Sequence, residues 1–179
     1  TDWETDSASS ENKNKVEFGF APGVANIKLE PTGEITFSPI FYKIYEKDQF
    51  AFINSLPREV KNKLRIRFKQ DAYGWDRKAA FQQNIDDSVF DTIKKPFHES
   101  VNDSRLCVVC ANFTSHLETF AANVPTVIFW DPKYNELRSE AEPFFDKLVD
   151  AGILFYDPVA AAQQVNSIWS DVPGWWNQD

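Results

Sequence analysis

Methionine is absent from the 179 residues, and histidine and cysteine occur only twice each. That scarcity removes most metal and nucleophile chemistry at once. A zinc site built from His98, His116, Cys107 and Cys110 would need a cysteine to turn out of an apolar strand, so no metal and no cofactor are expected. Nor does the sequence show a catalytic histidine pair or a candidate nucleophile. Basic residues are short as well, 19 against 27 acidic ones for a net charge of −8. A general nucleic-acid surface would want a basic face, so any phosphate must be held locally. No apolar run nears the roughly 20 residues of a membrane-spanning helix, and the polar start lacks the apolar stretch of a signal peptide. A cytoplasmic protein without a membrane span is expected, with peripheral association left open. No internal repeat is visible.

What is present suits one globular domain, because 42% hydrophobic residues with 15% aromatics can build a sizeable core. Residues 1–15 are too polar to order themselves, and 1–30 read as a flexible tail or interdomain linker ahead of a domain over 31–179. Gly19, Pro22, Gly23 and Pro31 mark 16–31 as loop, with at most a short strand at 27–29. Strands are expected at 34–37, 64–68, 88–90, 106–110, 126–130 and 153–156. Helices are expected at 46–56, 78–85, 97–103, from Thr114 to Val124, over 141–149, and from Asp157-Pro158 to Trp169 with a stop at Pro173-Gly174. This order predicts an α/β fold with a Rossmann-like, doubly wound, mostly parallel sheet of six strands.

Residues 105–131 are the most informative stretch, reading as strand, hydroxyl-rich turn, helix and strand. Leu106 to Cys110 is a short unbroken apolar run, as expected of a strand buried on both faces of a parallel sheet. Within it Cys107 and Cys110 read as structural. Asn112, Thr114 and Ser115 are capping-type residues before a stripe of Leu117, Phe120, Ala121 and Val124, and Pro125 ends the helix. A crossover of this kind starts its helix at the carboxyl edge of the sheet, where open α/β sheets bind ligands. Free N–H groups of the first turn attract phosphate, and the hydroxyls of Thr114 and Ser115 add donors. Glu118, one turn on, is placed to accept hydrogen bonds from a ribose diol, although a cap and an early-helix acid would read the same way. His116 suits either a ligand contact or a solvated face. Arg67, near the end of its strand, could fork onto a diphosphate or form a solvated edge pair with Arg65. Tyr73 and Trp75 flank Gly74 in an aromatic loop fit to stack a base or sugar, or to cover the core. Asp131 and Lys133 follow a strand at the ligand edge, where they would meet sugar hydroxyls and phosphate or simply form a proline turn.

Residues Thr114 to Trp130 resemble the pattern Thr-x-x-Leu-Glu-x-x-Ala-x-Asn-x-Pro-Thr-x-x-x-Trp of the nucleotide-binding half of GT-B glycosyltransferase-like enzymes. Three further segments agree in order and spacing over about residues 34–176: Arg65 to Phe68 with Tyr73-Gly74-Trp75, Leu137-Arg138 through Gly152-Ile153, and Trp175-Trp176. Together they are similar to the surface-carbohydrate transferase family typified by a leptospiral protein. The resemblance implies a GT-B carboxy-terminal domain that binds a nucleotide-diphosphate sugar for surface polysaccharide or lipopolysaccharide synthesis. The α-helix at Thr114 and Arg67 would stabilise the departing diphosphate while Glu118 clamps the ribose. The acceptor-binding amino-terminal domain would be a partner missing from this chain. Thr1 is no initiator, so a fragment is expected. With the general base usually on that other domain, no catalytic residue is assigned, and the chain alone should bind donor without transferring sugar. Two alternatives remain: a glycerol-phosphate-type transferase domain of the same fold, and a noncatalytic nucleotide-binding or interaction module.

Overall fold

The computed structural model describes residues 16–19, 39–67, 77–85, 101–102, 104–110, 112 and 114–178. In chain order the elements are β1 (Val16–Gly19), α1 (Pro39–Ser55), α2 (Arg58–Lys61), β2 (Leu64–Arg67), α3 (Arg77–Gln82), β3 (Leu106–Val109) and α4 (Thr114–Ala121). β4 (Thr126–Phe129), α5 (Glu142–Asp150), β5 (Leu154–Phe155), α6 (Pro158–Ile168), a 3-10 turn (Trp169–Asp171) and α7 (Val172–Trp176) follow.

The five strands form one parallel sheet in the order β2-β1-β3-β4-β5. The fold class is α/β, as expected. Strands at 64–67, 106–109, 126–129 and 154–155 match four of the six expected; those at 34–37 and 88–90 lie outside the described residues. One difference changes the middle of the sheet. Val16–Gly19, expected as loop because of its neighbouring glycines and prolines, is an interior strand, second in the order and paired with both β2 and β3. Its four residues carry Val and Phe at alternate positions, and long-range pairing overrides the weak local signal.

Alternation along the strands feeds two cores. On one face, Leu64, Ile66, Leu106, Val108, Val127 and Phe129 meet Phe52, Ile53 and Leu56 of α1 and Ala161, Ala162 and Val165 of α6. Phe52 stacks on Phe129 with ring centroids 5.0 Å apart. On the other, Cys107, Val109, Ile128 and Leu154 pack with Val124, Phe120 of α4, and Phe145 and Leu148 of α5. Both cysteines are buried, and they join opposite cores.

Helix ends follow local chemistry. α4 closes with Asn123 at φ 51° and bonds Val124 N–H to Thr119 O (2.9 Å) and Asn123 N–H to Phe120 O (2.9 Å). α5 repeats the device with Gly152 at φ 65°, Ile153 N–H to Leu148 O (2.8 Å) and Gly152 N–H to Val149 O (3.0 Å). Asp157 caps α6 by accepting from Ala160 N–H at 2.7 Å. Pro173-Gly174 does not end the helical run as expected. It falls inside α7, whose first turn tolerates proline and whose Gly174 N–H is held by Asp171 Oδ1 at 3.0 Å.

Candidate functional site

Along β1 the register sets Gly19 between Arg67 of β2 and Val109 of β3. All three therefore stand at the carboxyl edge, with the Arg67 backbone about 10 Å from Val109 by two interstrand spacings. From β1 the chain moves to β2 on one side, and the later strands run out on the other. The junction of β1 and β3 is where the direction reverses. α4 begins five residues beyond Val109 at that edge, so its first-turn N–H groups open there.

α4 presents Thr114 and Glu118 to solvent one turn apart, whereas Ser115 is buried at 7% exposure. Asn112 is half-buried ahead of the helix, and its backbone N–H donates to Asn135 Oδ1 at 3.2 Å. His116 faces inward at 4% exposure, ringed by Phe120, Trp130 and Phe145 with centroids 6.0, 6.2 and 6.1 Å away. It is neither on a solvated face nor at the helix mouth. The expected apolar stripe of α4 is also turned: Leu117 is 58% exposed and Ala121 is exposed, while Ser115, His116 and Thr119 go inside. Thr119 satisfies its buried hydroxyl by donating to His116 O at 2.9 Å, which makes a polar residue tolerable there.

A small cleft, open to solvent, lies at the same edge. Ile44, Tyr45 and Asp48 of α1 form one wall. Cys110 after β3 and Phe129, Trp130 and Asp131 at the end of β4 form the floor, and Tyr134 and Asn135 complete the rim. Gln49, fully buried behind it, donates Nε2–H to Cys110 Sγ at 3.5 Å. Asp131 Oδ1 accepts from Lys133 N–H at 2.9 Å, an Asx turn, and Asp131 O accepts from Asn135 Nδ2 at 3.1 Å. Asn135 thus ties the segment after β4 to the turn before α4. Burial, then the Asp131 carboxylate, pushes the Asp48 carboxyl above its ordinary value; Asp157 adds to this and Lys47 opposes it. No three histidine, cysteine or acidic side chains among the described residues converge as metal ligands. No helix among them is long and apolar enough to cross a membrane.

The chain matches the family model described as LIC12162 family transferase over residues 11–179. It belongs to the LIC12162 transferase family. No curated protein and no solved structure matches it. In this LIC12162 family transferase the Thr114 to Trp130 segment forms the unit α4–β4, and Asn123 of that segment meets Trp176 in space. Trp176 Nε1–H donates to the Asn123 side-chain oxygen at 2.9 Å, with the Trp176 ring 6.1 Å from Phe120.

Of the eight residues expected to bind substrate, Thr114, Ser115, Glu118 and Asn112 cluster around the start of α4, and Asp131 lies in the cleft. Arg67 ends β2 at the same sheet edge, while Tyr73 and Trp75 fall outside the described residues. Sequence reasoning missed Tyr45, Asp48 and Asn135. The first two belong to α1, and Tyr45 precedes the expected start at residue 46 because the helix begins at Pro39, whereas Asp48 lies inside the expected helix. Asn135 had a signal, since an amide four residues beyond a strand-end aspartate can bond back to its carbonyl.

Proposed function

We propose that the chain is the donor-binding domain of a glycosyltransferase, a Rossmann-like half of the GT-B type, that holds a nucleotide-diphosphate sugar for surface polysaccharide or lipopolysaccharide synthesis. One observation carries this reading: α4 opens at the carboxyl edge where the strand order reverses, with Thr114 and Glu118 exposed one turn apart. The diphosphate lies against the first-turn N–H groups and the Thr114 hydroxyl, where the positive end of the helix favours it. Glu118 accepts the ribose hydroxyls, and Arg67 approaches the diphosphate from β2 with a planar fork of donors. As the sugar leaves, charge grows on the terminal phosphate, and donors already in position stabilise it without reorganising. The acceptor, and the base that deprotonates it, come from a separate amino-terminal domain.

Calorimetric titration with UDP, CDP, GDP and dTDP tests the reading. One nucleotide is expected to bind, and Glu118→Ala or Arg67→Ala should weaken it by roughly 1–3 kcal/mol, the worth of a charged hydrogen bond. Unchanged affinity in both variants, or no binding by any nucleotide, would overturn it.

A further inference from the structure

We propose that the acidic cleft between α1 and the segment after β4 is the subsite for the sugar of the donor, with Asp48 and Asp131 accepting hydrogen bonds from its hydroxyls. This rests on the donor-binding reading above. The first support is position. Cys110, in the floor, is four residues before Thr114, and the bond from Asn112 N–H to Asn135 Oδ1 joins the cleft rim to the turn that leads into α4. A group attached to a phosphate at the start of α4 therefore has the cleft as its neighbour.

Charge then selects the ligand. Asp48 and Asp131 face the cleft and Asp157 is close enough to act on Asp48, so a diphosphate is repelled from it. A neutral group rich in O–H donors suits it, because ionised carboxylates only accept. Asp131 already spends one oxygen on Lys133 N–H, which leaves its second for a ligand. A bound cation would also answer the charge, but the described residues bring no three ligands together.

The cleft is open to solvent, and its enclosed part has room for about one water-sized group, which fits a single hydroxyl or hydroxymethyl arm while the rest of a sugar stays outside. Tyr45 and Tyr134 add aromatic side chains to the lining.

The test compares each nucleoside diphosphate with its own sugar conjugate by calorimetry on the whole chain, using UDP-glucose, UDP-N-acetylglucosamine, GDP-mannose and dTDP-glucose. For the base that binds, one conjugate should bind at least about tenfold tighter than the bare nucleotide, equivalent to roughly 1.4 kcal/mol. Asp131→Asn and Asp48→Asn should each erase most of that gain while leaving bare nucleotide affinity within about twofold. Nucleotide binding with no gain from any sugar, or a gain that survives both substitutions, overturns the subsite and leaves the donor-binding reading standing. Absence of all nucleotide binding overturns both.

Discussion

Asp48 is the residue where burial and charge conflict most plainly. Its carboxyl is held above its ordinary value by burial and by Asp131, so the folded state binds the proton more tightly than the unfolded state does. The resulting stabilisation is fully present below the unfolded value and is lost as pH rises through the folded one. Asp48→Asn keeps the shape and removes the charge. It should raise Tm at about pH 7 and confer much less advantage near pH 3.5, where the carboxyl is mostly protonated in both states; thermal unfolding at the two values decides this. An equal gain at both would mean that the charge is unimportant. Asp131 was legible in the sequence because it follows an apolar run that had to be a strand. Asp48 was not, since nothing local to a helical aspartate says that a strand end about eighty residues later will cover it.

At the scale of elements, the end of α4 joins backbone conformation to tertiary contact. Asn123 adopts φ 51° and also accepts from Trp176. Asn123→Ala should therefore cost about 1–2 kcal/mol, combining left-handed strain with a lost hydrogen bond. Asn123→Gly should cost less, because glycine accepts the conformation and only the bond is lost. Denaturant unfolding of both variants checks the order; equal losses would assign the whole effect to the Trp176 contact. The existence of α4 was readable from Thr114 and Pro125, but its rotation was not. In an eight-residue helix, the packing of His116 and Phe120 against Trp130 and Phe145 outweighs the inward pull of Leu117. α1 was read too short, since its first turns place Ile44 and Tyr45 against a cleft that no periodicity announces.

For the molecule as a whole, the sheet depends on β1. It is the only strand bonded to β2 among the described residues, and β2 reaches β3 solely through it. Deleting residues 1–15 should leave cooperative unfolding intact, whereas deleting 1–19 should separate Leu64–Arg67 from the remaining strands. A large loss of Tm and of the denaturant slope is expected for the longer deletion only. An unchanged slope would show that β2 has another partner. Strands from β3 onward were legible because each is a compact apolar run with a helix behind it. β1 was not, for it is four residues long and stands among turn-forming neighbours.

The pairing of Val16 with Leu106 has a further meaning while the chain is being made. At 5–20 residues per second, β1 leaves the ribosome on the order of 5 to 20 s before its inner neighbour exists. β2 is made part-way through that interval and can cover one edge of β1, but the edge that faces β3 stays open to another nascent chain. The amino-terminal segment is thus where misassembly during synthesis should begin, and slower elongation between β1 and β3 should lower the yield of native protein.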